Sequence, residues 1–163
     1  MRTLLMNAAI AAALIGNVRA ADIEPPFAKD GLWEATTSHT MMGKTTQATV
    51  KLCQNRESQQ KEREFSAQMR QKDQCSRTTT QTAPGTFVIE SKCTSGPRAG
   101  SSSKTTMTFQ GDSAYHMDMH MTTSSGVENT MVIDGKYVGA CPPDMKPGDT
   151  VMGNGQKFNM NTN

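Results

Sequence analysis

The sequence predicts a mainly β, α+β fold: a curved antiparallel β-meander of about seven strands, half-barrel-like, with one helix packed against it. Three observations carry this expectation. Residues 105–125, TTMTFQGDSAYHMDMHMTTSS, read as two strands joined at Gly111-Asp112, and the second alternates strictly: Tyr115, Met117, Met119 and Met121 on one side, His116, Asp118 and His120 on the other. Successive side chains leave a pleated backbone on opposite faces, so a period of two marks a half-buried strand. Turn signals recur between such runs, at Gly43, Pro84-Gly85 and Gly111-Asp112. Helical composition is confined to 55–72, which lacks both Gly and Pro.

Residues 1–20 read as a signal peptide. Arg2 supplies a positive start, 4–15 an apolar run interrupted only by Asn7, and Val18-Arg19-Ala20 a small-x-small cleavage site before Ala21. The run is too short for a membrane span, which takes ~20 apolar residues, so no transmembrane anchor is expected after cleavage. A periplasmic or secreted location follows. Without Arg2 and Arg19 the chain carries 15 basic residues against its 15 acidic ones. Such a balance gives no phosphate-binding excess, and no nucleic-acid partner is expected. With 35% hydrophobic residues, five Phe, two Tyr and one Trp, the core of the single domain should be modest.

A leader, 21–30, contains Pro25-Pro26 and precedes a first strand at 31–40, GLWEATTSHT, with Trp33, Ala35 and Thr37 on one face. The chain turns at Met42-Gly43-Lys44 and returns as 45–53, where Val50 and Leu52 are the apolar positions. Threonine-rich strands of this kind suit an antiparallel sheet with one wet face. The helix over 55–72 has Asn55 or Ser58 to cap it, and Phe65 and Met69, one turn apart, as the stripe that pins it to the sheet. Strands at 75–82 and 86–93 form a hairpin, with Phe87, Ile89 and Ser91 sharing a face, and 94–103, TSGPRAGSSS, reads as a flexible connection. A last long strand occupies 128–138, although Asp134-Gly135 inside it could equally turn a hairpin or mark a bulge. The tail, 142–163, with Pro142, Pro143 and Pro147, is expected to be extended or disordered.

Four cysteines in a secreted domain of 31–141 predict two disulfides. Cys75 begins and Cys93 ends one hairpin, at one end of the sheet. Counting through the next strands, a continuous 128–138 delivers Cys141 to the opposite end, one strand length of ~20 Å away, beyond disulfide reach. Pairs Cys75–Cys93 and Cys53–Cys141 result, provided the helix carries the chain back along the sheet. A hairpin at Asp134-Gly135 would reopen Cys53–Cys75 with Cys93–Cys141.

Gly31-Leu32-Trp33-Glu34, a cysteine closing the second strand, a cysteine-to-cysteine hairpin, Gly111-Asp112-Ser113-Ala114-Tyr115 and Gly139-Ala140-Cys141-Pro142 follow one another in that order. Over about residues 31–141 this series resembles the domain-of-unknown-function family 3617, small secreted proteins of Gram-negative bacteria. The resemblance implies location and architecture, and brings no activity with it. Gln54-Asn55-Arg56-Glu57 and Lys136-Tyr137 depart from the family's usual choices.

Candidate chemistry lies on the two faces of the central strand. His116, Asp118 and His120 could hold copper or zinc, but neighbours in the row are ~7 Å apart and the two histidines ~13 Å, so both reach one ion only with a bulge or a third strand's ligand. His39, with Met41 and Met42 nearby, offers donors that suit copper. Met107, Phe109, Met117, Met119, Met121 and Met131 would line one apolar face, either a core under the helix or a groove for a lipid. No Gly-x-Ser-x-Gly, phosphate loop, His-Glu-x-x-His or Cys-x-x-Cys occurs. A non-enzymatic envelope module is expected, with no cofactor other than the metal ion weighed above and with its partner undefined.

Overall fold

Residues 23–159 are described by a computed structural model; residues 1–22, which include the stretch expected to be a signal peptide, and residues 160–163 lie outside them. The first hairpin joins β1 (Gly31–Met41) to β2 (Lys44–Gln54) through Met42 and Gly43, at φ 52° and 76°. Positive φ at both central residues gives a turn whose twist matches the strands it joins. Helix α1 (Arg56–Lys72) follows, then β3 (Cys75–Ala83), β4 (Thr86–Cys93), β5 (Ser102–Gln110), β6 (Ala114–Thr122), β7 (Glu128–Gly139), β8 (Asp149–Met152) and β9 (Lys157–Asn159). All nine strands of the described residues form one antiparallel sheet in the order β3-β4-β5-β6-β7-β1-β2-β8-β9, and it does not close on itself.

The mainly β fold with one helix is therefore as expected, with two differences of arrangement. The meander runs unbroken only from β3 to β7. β1 pairs with β7, from Leu32↔Gly139 to Met41↔Asn129, so β2 and β3 lie six strand positions apart. That is about 29 Å at ~4.8 Å per spacing, and the 17 residues of α1 bridge about 25 Å of it at ~1.5 Å per residue. The second difference lies after Cys141. There β8 pairs with β2 and β9 with β8, extending the sheet beyond the expected seven strands. Asp149 organises this tail: its carboxylate accepts from the Lys146 N–H at 2.8 Å and from Asn159 Nδ2 at 2.7 Å, bonds that hold its pKa below the usual value.

Register places Trp33, Ala35, Thr37 and His39 of β1 on the same face as Leu52 and Val50 of β2, Tyr137 and Ile133 of β7, Tyr115 and the methionines of β6, Phe109 of β5 and Phe87 of β4. One aromatic chain crosses this face: Phe87 to Phe109 at 6.1 Å, Phe109 to Tyr115 at 6.4 Å, Tyr115 to Trp33 at 5.7 Å and Trp33 to Tyr137 at 5.9 Å between centroids. Tyr115 and Trp33 belong to strands separated by β7. They meet because Gly135 lies between them, where a Cβ would run into the Tyr115 ring. Asp134-Gly135 thus sits mid-strand as neither a turn nor a bulge, and glycine serves the ring above it.

Helix α1 lies on this face but is held differently from the expectation. The Phe65 and Met69 stripe does not pin it: these side chains are 64% and 36% exposed. The hydrogen bonds that hold it run to the backbone of the leader. Gln59 exchanges two hydrogen bonds with Ala28, at 2.8 and 3.0 Å, and Arg63 donates to the carbonyls of Pro25 and Pro26 at 2.7 and 3.1 Å. The Phe27 ring lies under Arg63 and Arg56, and Glu24 pairs with Arg77 of β3. The leader is therefore a strap alongside the helix, with Pro25 buried. Asn55 and Ser58 cap the helix reciprocally, the Ser58 N–H donating to Asn55 Oδ1 and the Asn55 N–H to Ser58 Oγ. At the other end buried Asp73 accepts from Arg98 Nε at 2.6 Å, and Arg98 also donates to the Met69 carbonyl. Through Arg98 and the Ser95 N–H, which donates to the Asp73 carbonyl, the 94–103 connection is tied to the helix terminus.

The continuous β7 leaves Cys53 and Cys141 at one end of the sheet and Cys75 and Cys93 at the other. Both pairs are within disulfide distance, with Cα atoms 5.5 Å apart for Cys53–Cys141 and 3.9 Å for Cys75–Cys93.

Candidate functional site

On the open face, β6 presents His116, Asp118 and His120, and β7 adds Asp134 directly opposite His116. His116 hydrogen-bonds through both ring nitrogens, Nδ1 to Asp134 Oδ1 at 2.7 Å and Nε2 to Asp118 Oδ2 at 3.0 Å. These two carboxylates, Asp134 foremost, raise its pKa above the ordinary 6.5 and favour the imidazolium. The structure brings Asp118 to His116 but leaves His120 apart, exposed and opposite Lys104 and Thr130. Among the described residues no group of three or more His, Cys, Asp and Glu side chains converges as an ion cage. His39 lies on the other face of the sheet, so it cannot supply the missing ligand.

An imidazolium between two carboxylates makes the molecule's stability depend on pH. Because the folded-state pKa is raised, the contribution is fully present below pH 6.5 and disappears as pH rises through the folded-state value. The His116 side chain is 38% exposed, so solvent screening limits the effect to less than about 1 kcal/mol. His116→Gln is expected to destabilise the protein by that margin between about pH 5 and 6.5 and to match wild type at about pH 9. Urea denaturation at the two pH values checks this; an equal loss at both would show that packing, not charge, is what His116 supplies.

On the covered face the methionines form cross-strand rows. Met107, Met117 and Ile133 are paired across β5, β6 and β7; Met119 and Met131 pair in the next row, and Met121 stands opposite Asn129 beyond it. Phe109 is absorbed in the aromatic chain. Met107, Met117, Met119, Met121 and Met131 all remain half-buried. Burial raises the Tyr115 pKa, and the Glu62 carboxylate adds to the rise, so α1 stands over the aromatic end of this face. The methionine rows lie toward the opposite end, and the exposed Phe65 and Met69 belong to the half of α1 that runs toward it.

Sequence reasoning did not connect His39 to these methionines. It belongs to their face, opposite Met131 of β7 and Thr46 of β2. Its place on the Trp33 side of β1 was legible from the alternation 33, 35, 37, 39. Its neighbour was not, because the β1–β7 pairing joins strands distant in sequence.

With this geometry in view, a family model described as a protein of unknown function, DUF3617, matches residues 28–141. The chain belongs to the DUF3617 family. The DUF3617 match takes in β1 to β7, α1, all four cysteines and every candidate residue on both faces, and ends where β8 and β9 have yet to begin. No curated protein matches the chain. Among the described residues of this DUF3617 protein no helix is long and apolar enough to cross a membrane.

Proposed function

We infer that this DUF3617 protein is a non-enzymatic binding module of the cell envelope, secreted by its N-terminal segment, whose ligand face is the methionine-lined half of the sheet and whose ligand is an apolar chain such as a lipid acyl group. The observation that carries this reading is the incomplete cover of that face: Met107, Met117, Met119, Met121 and Met131 form adjoining rows, yet all stay half-buried. A fully covered set would read as core. Unbranched thioether side chains repack at low cost around ligands of variable shape. The open face supports a copper or zinc site through His116, Asp118 and His120 less well, because both ring nitrogens of His116 already have carboxylate partners. The same occupancy leaves His116 no free nitrogen with which to act as a base.

Titrating the mature protein with dodecanoate, with methionine methyls labelled with carbon-13, tests the reading. The methyl signals of Met107, Met117 and Met131 are expected to shift together and saturate below ~100 μM, a modest affinity for one apolar chain. Signals that stay in place up to ~1 mM would remove the acyl-chain assignment.

A further inference from the structure

His39, Met131 and Met119 occupy consecutive positions of one cross-strand row on the covered face, contributed by β1, β7 and β6. Directly opposed residues have Cβ atoms roughly 5 Å apart, so the central thioether of Met131 has an imidazole on one side and a second thioether on the other. Met41 and Met121 stand in the next row, on either side of Asn129. Every other member of the His39 row is uncharged: Thr46, Thr105, Ile89 and Thr79. The site is reachable, since Met41 is 46% exposed and the three donors are half-buried.

We propose that His39, Met131 and Met119 form a Cu(I) site at the open end of the methionine face. Thioether sulfur is a soft donor and neutral imidazole a borderline one, and neither carries charge. They suit Cu(I), whereas Zn(II) and Cu(II) draw more on anionic or harder ligands. The His39 ring makes no hydrogen bond or ion pair among the described residues, so its nitrogens are available. Asn129, 7% exposed, keeps its side-chain Oδ1 buried without a partner. It lies diagonally across from His39, within the roughly 7 Å that diagonal pairs span. A histidine that binds a metal through one ring nitrogen presents an N–H at the other and usually donates it to a nearby acceptor, and Asn129 Oδ1 is a buried acceptor without a partner in the adjoining row. The inference goes beyond the acyl-chain reading: Met119 and Met131 belong to both, whereas His39 has no role in holding an apolar chain, and Met107 and Met117 have none in holding the ion.

The test is anaerobic competition for Cu(I) between the metal-free mature protein, disulfides intact, and a chromophoric Cu(I) chelator. One equivalent is expected to bind with Kd well below ~1 μM. His39→Ala and Met131→Leu should each weaken binding at least tenfold, while His116→Ala leaves it unchanged. Methionine and leucine are close in volume, so the Met131 variant is expected to fold. A second readout needs no variant: Ag(I), a redox-inert substitute, should shift the Met119 and Met131 methyl resonances and leave Met107 in place. A Kd weaker than ~1 μM, or affinity unchanged in the His39→Ala, Met131→Leu double variant, would overturn the site. Dodecanoate shifts of Met107 and Met117 in that double variant read the acyl-chain assignment separately: if they persist while Cu(I) affinity is unchanged, the copper site falls and the acyl-chain reading stands.

Discussion

Replacing Cys53 and Cys141 together by alanine is expected to lower the free energy of unfolding by about 4.5 kcal/mol, the chain-entropy value for a cross-link of this span. The two residues are 88 apart in sequence, against 18 for Cys75 and Cys93, whose removal should cost about 3 kcal/mol on the same reckoning. Architecture sharpens the contrast. Cys75 and Cys93 face each other across adjacent strands already joined by a hairpin. Cys53 and Cys141 instead tie the end of β2 to the chain leaving β7, across the intervening β1, and the Cys53 carbonyl also accepts the Gly148 N–H that starts the β8 region. Since a domain's whole stability is about 5 to 15 kcal/mol, the double variant should be marginal at 37 °C. Urea denaturation of both double variants measures the two losses. A smaller loss for Cys53/Cys141 than for Cys75/Cys93 would contradict the role of loop length.

Trp33→Ala should cost about 3 to 5 kcal/mol, the range for deleting a buried large aromatic ring. Trp33 is 2% exposed, packs against both Tyr115 and Tyr137, and donates its indole N–H to the Lys29 carbonyl at 2.8 Å. It therefore links the sheet to the strap, and its loss should loosen both. Trp33→Phe keeps a ring but, like the alanine variant, leaves the Lys29 carbonyl without its donor, and is expected to cost less than alanine by the packing that the phenyl ring retains. Thermal unfolding followed by circular dichroism reads both. A loss under about 1.5 kcal/mol for alanine would mean that the aromatic chain closes over the gap.

What could be read in the sequence follows how local each signal is. β6 announces itself because Tyr115, Met117, Met119 and Met121 alternate with His116, Asp118 and His120 within nine residues, and α1 because seventeen residues lack any breaker. The disulfide pairs follow from counting strands, once β7 is taken as continuous. The pairing of β1 with β7 leaves no local trace, and with it goes the meeting of His39 and Met131. Phe65 and Met69 look alike in sequence whether their face is covered or bare; what decides is the leader, which offers carbonyls to Arg63 and so turns the other side of the helix inward. From their Gly and Pro content the 94–103 connection reads as flexible and the tail as extended or disordered. Each is ordered by one acidic side chain, Asp73 and Asp149, whose partners lie elsewhere in the chain.

The place of β1 between β7 and β2 also sets the order in which the molecule can be completed. β1 emerges first, yet its second edge stays unpaired until roughly a hundred further residues have arrived, so contacts of long sequence separation close late and slow the search. An early hairpin with an open edge is an invitation to other chains. Here β1 and β2 carry threonine at Thr36, Thr37, Thr40, Thr45, Thr46 and Thr49, lysine at Lys44 and Lys51, and little aliphatic bulk beyond Leu32, Val50 and Leu52. Their polarity keeps the waiting edge wet and unattractive, and only the late arrival of β7 brings the partner that Trp33 needs.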